Sequence, residues 1–215
     1  MTPAAVLFDC DGVLVDSEDI AFDLLMDEFA NHGLTLPRAR MEVEVLGLTM
    51  VGVADRARAL GAALPQDWVA RFYERLYARL EQGTPLIPGI LEVLERLDAA
   101  GIPYAVGSNG SDRKMEITLG QHPALWARLQ GRMFSGQTLG TPKPAPGLWL
   151  HAARALGVDP AGCSVVEDSP TGARAARAAG MRCFAYAPHG DGARMVAEGA
   201  LPFRAMAELP GLLGI

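Results

Sequence analysis

Two aspartates two residues apart, Asp9 and Asp11, follow a short apolar run and precede Gly12. Residues i and i+2 of an extended chain face the same side. Like charges held that close resist being ionised together, so the pKa of one rises. An ionised aspartate can be a nucleophile without an activating base, and a protonated neighbour can act as general acid. Taken alone the segment is as well read as a turn, because Asp-Gly is a common turn pair.

Three further groups carry chemistry. Ser108-Asn109-Gly110 offers a hydroxyl and backbone N–H groups at the start of a helical pattern, which suits a phosphate. The same residues make an ordinary helix cap and turn. Lys143 lies between Pro142 and Pro144, whose stiff backbone would hold one cation in a set place. Glu167-Asp168-Ser169 adds two carboxylates. Mg²⁺ prefers oxygen ligands and takes one or two protein carboxylates. Asp9 with Asp168 would make such a site, completed by waters and a substrate phosphate. An acidic helix N-terminus is the plain alternative.

The surrounding elements decide between these readings. Apolar runs over Ala4–Phe8, Tyr104–Ser108, Arg132–Ser135, Cys163–Glu167 and Cys183–Ala187 predict buried strands. Helical patterns lie between them. Ile90, Val93, Leu94 and Leu97 repeat at helical spacing before Gly101; Trp149, Ala152, Ala153 and Leu156 do so before Gly157. Ala173–Ala179 is a third helix, ending at Gly180. Alternating strands and helices predict an α/β fold, a Rossmann-like parallel sheet with helices on both faces. Ligands bind outside the carboxyl ends of such strands, and every group above sits at a strand end or beyond it. One region breaks the alternation. Residues 17–83 show helical patterns only, with Phe22, Leu25, Met26 and Phe29 on one face and Trp68, Phe72, Leu76 and Leu80 on another. They predict a small inserted helical domain, with the core formed by residues 1–16 and 84–215.

Composition narrows the partners. The 215 residues carry a formal net charge of -6, with no basic run long enough to follow a phosphate backbone. No nucleic-acid partner is expected. Cys10, Cys163 and Cys183 are odd in number and widely spaced, which predicts free thiols. The start, Met1-Thr2-Pro3-Ala4, lacks a basic leader, and no apolar stretch is long enough to span a bilayer. A cytoplasmic protein without membrane contact, monomeric or weakly dimeric, is expected.

The motif order resembles the haloacid dehalogenase superfamily of phosphohydrolases. Its signature runs Asp-x-Asp-Gly, then Ser/Thr, then Lys, then an acidic pair. Here that reads Asp9-Cys10-Asp11-Gly12, Ser108-Asn109-Gly110, Lys143-Pro144 and Glu167-Asp168-Ser169. The resemblance implies that Asp9 attacks phosphorus and that Asp11 protonates the leaving oxygen and then activates water. It implies that Ser108, Asn109 and Lys143 bind the transferring phosphoryl group. It gives Mg²⁺ to Asp9, the backbone carbonyl of Asp11 and Asp168, with Glu167 one water away. Residues 17–83 become the cap that selects a small phosphorylated metabolite, with Trp68, Phe72 and Leu76 in the cap's own core. The carboxylate at Asp11 argues for phosphoryl transfer over dehalogenation. Ala21 and Gly47-Leu48-Thr49-Met50 supply no charge where β-phosphoglucomutases carry a histidine and a basic residue, which argues against a mutase. A silent binding module is the remaining alternative. Ser108-Asn109-Gly110 with Lys114-Met115, Phe134-Ser135-Gly136 and His151-Ala152-Ala153 is similar to the 6-phosphogluconate phosphatase-like group, and a sugar or sugar-acid phosphate is the expected substrate. Arg113 and Lys114 could reach a substrate carboxylate from a helix start; a solvated helix face is the expectation for both.

Overall fold

The computed structural model describes residues 2–45 and 48–215. Met1 and Gly47, which enter the leader and cap-loop readings, lie outside the described residues, as does Leu46. The chain divides into two compact units: the chain up to Asp16 joined to Thr84–Ile215, and Ser17–Gly83.

The smaller unit holds α1 (Glu18–Asn31), α2 (Arg38–Val45), α3 (Met50–Ala59) and α4 (Trp68–Glu81). Its core is aromatic. Phe29 stacks on Trp68 at 5.6 Å between ring centroids, and Trp68 lies 5.1 Å from Phe72. A buried carboxylate joins α1 to α4: Glu28 accepts from Trp68 Nε1 at 3.1 Å and from Arg75 at 2.6 Å. Trp68, Phe72, Leu76 and Leu80 are all buried, and all come from the one apolar stripe of α4. Ala21 falls within α1, and Thr49 caps α3 by accepting from the Gly52 N–H at 3.2 Å.

The larger unit is built on a parallel sheet. Its strands are β1 (Ala5–Phe8), β2 (Tyr104–Ser108), β3 (Met133–Ser135), β4 (Cys163–Glu167), β5 (Arg182–Tyr186) and β6 (Leu201–Phe203). They stand in the order β3-β2-β1-β4-β5-β6. Phe8 pairs with Val106 on one side and Val166 on the other. The connecting helices are α5 (Ile90–Ala99), α6 (Asp112–Gly120), α7 (Pro123–Leu129), α8 (Gly147–Ala155), α9 (Pro170–Ala178), α10 (Ala193–Val196) and α11 (Leu209–Leu213). This is the Rossmann-like α/β architecture expected from the alternation. Strand side chains alternate between two cores. Val6 and Phe8 pack with α5, α6, α7 and α11; Ala5 and Leu7 pack with α8, α9 and α10. Each fully buried leucine or valine of α5 contributes roughly 1.5–3 kcal/mol.

Strand β6 was not among the expected strands. It is three residues long and carries Pro202, which pairs with Ala185 at the sheet edge. So short a segment shows no periodicity, and proline in a strand is confined to such edges. The thiols of Cys10, Cys163 and Cys183 are free and buried. Among the described residues no helix is long and apolar enough to cross a membrane.

Candidate active site

The strand order reverses at β1. The chain builds outward through β2 and β3, then returns to place β4 on the other side of β1. Such switch points leave a crevice at the carboxyl end of the strands. Asp9 follows β1 there, Ser108 ends β2 and Glu167 ends β4. The Asp9 N–H donates to the Val166 carbonyl at 2.9 Å, which carries the ladder one residue past β1 and fixes the aspartate against β4.

Lys143 comes into this crevice from the loop before α8. Its ammonium lies 2.5 Å from Asp9 Oδ1 and 2.6 Å from Glu167 Oε1, and the Lys143 side chain is only 3% exposed. Asn109 aims it. The Asn109 carboxamide accepts from the Lys143 N–H at 2.7 Å and donates to the Lys143 carbonyl at 3.0 Å. Below the ammonium lies the Trp149 ring, with its centroid 4.4 Å away. That approach depends on Gly107: a Cβ there would stand 2.6 Å from the Trp149 ring. The indole face attracts the cation where water is excluded.

Glu167 is held from all sides. Its Oε2 accepts from the Asp168 N–H at 3.1 Å, the Ser169 N–H at 3.0 Å and the Ser169 hydroxyl at 2.8 Å. A buried carboxylate is tolerable only when paired and hydrogen-bonded, and this one is both. Ser169 in turn caps α9 by accepting from Gly172 at 3.0 Å.

The charges are strongly coupled. Burial pushes the Asp9 carboxyl up to about 7; Lys143 pulls it down, while Glu167 and Asp11 add to the rise. Burial works against the Lys143 ammonium, yet Asp9 and Glu167 outweigh it and hold the amine above its ordinary value. Burial also raises the thiol of Cys10 well above the usual range, so no thiolate nucleophile stands between the aspartates.

Asp9, Glu167 and Asp168 each offer a ligand atom within 4.8 Å of the others. Gly12 makes room for this cluster. It adopts φ 73°, and a Cβ at that position would stand 1.9 Å from Asp168 Oδ2. The donors are all oxygen, as a hard dication requires.

Asp11 faces a second lysine. Its Oδ1 pairs with Lys114 Nζ at 2.8 Å. Lys114 therefore corrects the expectation of a solvated helix face. Ser111 caps α6 by accepting from the Lys114 N–H at 3.1 Å, which turns the lysine inward, whereas Arg113 is exposed. Ser108 Oγ accepts from the Gly110 N–H at 2.9 Å. One point beside Gly110, where a Cβ would sit, lies 3.1 Å from Ser108 Oγ, 3.3 Å from Lys114 Cδ and 3.8 Å from Asp11 Oδ2. Sequence reading missed Trp149 as a site residue, seeing only its helical stripe. The glycine inside the otherwise apolar β2 was the available signal, because strand glycines mark close approaches.

Known proteins resemble this chain over most or nearly all of its length. Residues 3–180 match the haloacid dehalogenase-like hydrolase family. The chain belongs to this family. It is 31% identical over 210 residues to the 6-phosphogluconate phosphatase of Escherichia coli (strain K12), covering 97% of this chain and 93% of that one. It is 30% identical to hexitol phosphatase B of the same organism, over 83% of this chain and 81% of the relative. The solved HAD family hydrolase of Deinococcus radiodurans R1, which holds phosphate and sodium, is 32% identical with a TM-score of 0.84, over 99% of this chain and 96% of that one. Two longer Arabidopsis thaliana relatives are matched over 18% and 48% of their own length. Within the family, the chain is a phosphoric monoester hydrolase.

Proposed function

We propose that this haloacid dehalogenase-like phosphatase hydrolyses a sugar or sugar-acid phosphate through a phosphoryl group carried on Asp9. The observation that carries the reading is the buried contact of Asp9 with Lys143, beside Glu167 and Asp168 at the switch point. In the first step an Asp9 carboxylate oxygen attacks phosphorus and the ester P–O bond breaks. The departing alkoxide takes the proton of the Asp11 carboxylic acid. In the second step water gives a proton to the Asp11 carboxylate and attacks the same phosphorus. Inorganic phosphate leaves and Asp9 is restored. Phosphoryl transfer asks little of the protein beyond positioning and charge neutralisation. Ser108, through its hydroxyl, and Asn109, through its N–H, would receive phosphoryl oxygens, since the Asn109 carboxamide is committed to Lys143. Lys143 offsets the repulsion between an anionic nucleophile and an anionic ester.

Asp9, Asp168 and the carbonyl of Asp11 would hold Mg²⁺. Glu167 belongs to the second rank, because Lys143, two backbone N–H groups and Ser169 occupy its oxygens. The ion, when bound, supplies two positive charges that favour the ionised form of Asp9 and neutralise the phosphate. Residues 17–83 serve as the cap that selects the small metabolite and keeps water away. Support for the substrate class comes from the two bacterial sugar- and hexitol-phosphate phosphatases, with which the chain shares nearly its whole length or most of it.

Removal of metal is expected to abolish phosphate release from 6-phosphogluconate and from hexitol phosphates. Malachite-green assays in EDTA should fall to background and recover with added Mg²⁺. A rate indifferent to EDTA would contradict the metal site.

A further inference from the structure

Lys114 takes no part in the chemistry above, yet it is built into the site. Its Nζ stands 2.8 Å from Asp11 Oδ1, and the two side chains are 19% and 21% exposed. This is unlike a solvated ion pair, in which both long side chains wander and little is gained. Three features place it. Ser111 fixes its backbone as the helix begins, accepting from the Lys114 N–H at 3.1 Å. The Thr118 hydroxyl donates to the Lys114 carbonyl at 3.0 Å, one turn further on. Gly110 clears the path of its stem, since a Cβ at residue 110 would stand 3.3 Å from Lys114 Cδ.

Asp11 lies just after β1, where its backbone bridges to Val15 outside the named strands. Proton exchange needs its oxygen within hydrogen-bond reach of the ester oxygen in one step and of water in the next. We propose that Lys114 is the positioning residue for Asp11, its ammonium selecting the carboxylate rotamer that serves both proton transfers. The inference rests on the proposed phosphatase reading. Its rival assigns Lys114 to a carboxylate on the substrate. The geometry favours positioning, because the ammonium already bears on Asp11 at 2.8 Å.

The test uses p-nitrophenyl phosphate, which has no carboxylate, with Mg²⁺. Lys114→Met is expected to lower kcat by about a hundredfold while KM stays within about threefold. Lys114→Arg should regain part of the loss, and Lys114→Gln substitutes if the methionine variant does not fold. A kcat equal to the wild type, or a rise in KM alone, overturns the inference. A second readout does not depend on turnover. Crystal structures of the wild type and Lys114→Met should show the Asp11 carboxylate in different rotamers; an unchanged rotamer overturns the inference. No turnover by the wild type is a failure of the phosphatase reading, and the rotamer comparison then still decides the role of Lys114.

Discussion

Lys143→Met is expected to lower phosphate release by about a thousandfold and the unfolding free energy by about 3–5 kcal/mol. Both effects come from one contact set. The ammonium is shared between Asp9 at 2.5 Å and Glu167 at 2.6 Å. Methionine keeps much of the stem but removes the charge that offsets two adjacent carboxylates at this contact. One partner of a buried ion pair cannot be deleted cheaply, because the other charges stay out of water. Asn109 would still grip the main chain of residue 143, so the loop should remain in place and the loss should be electrostatic. Urea titration in EDTA measures the stability term without a metal to stand in for the lysine. A loss below about 1 kcal/mol would show that the carboxylates are compensated elsewhere.

Gly172→Ala should act on the same cluster from the opposite side. A methyl group at residue 172 would stand 1.7 Å from Glu167 Oε1 and 2.3 Å from Oε2. No rotamer of alanine avoids this, because Cβ itself is the offending atom. Glu167 has to move, and with it go its bonds to Lys143, Ser169 and the start of α9. Overpacking alone costs about 1–3 kcal/mol, and a displaced buried carboxylate adds about the same again. The expected result is a fall of about 10 °C in the melting midpoint and a loss of at least about tenfold in kcat as Lys143 loses its second anchor. Differential scanning calorimetry and steady-state kinetics measure the two. A variant with wild-type stability and rate would mean that α9 shifts freely, which the Ser169 cap argues against.

The parallel sheet was legible because both faces are covered. Strands such as Ala5–Phe8 and Cys163–Glu167 are buried at every position, and their sequences are nearly continuous apolar runs. The ends of these runs also marked the groups at the sheet edge, since strand direction puts all of them on one side. Less legible was what each side chain does there. Asn109 reads as a phosphate-binding residue in sequence, whereas its carboxamide holds the Lys143 backbone across 34 residues of chain. Lys114 reads as helix surface because nothing local reveals that Asp11, 103 positions earlier, waits opposite its ammonium. Gly12 reads as part of a turn, yet the space it leaves is filled by Asp168, as the space at Gly172 is filled by Glu167. Apart from Gly172 and Glu167, which are near in sequence, these contacts join distant segments, so no periodicity or spacing encodes them. Strand β6 escaped for another reason: three residues at an edge are too few to show a pattern.

The central claim is that Asp9 carries the phosphoryl group. Phosphate release from 6-phosphogluconate, hexitol phosphates and p-nitrophenyl phosphate, measured with Mg²⁺ for the wild type and Asp9→Asn, tests it most directly. The expected result is release by the wild type and a background signal for Asp9→Asn on every substrate, with the variant still folded. Equal release by the two proteins would contradict it and remove Asp9 as the nucleophile.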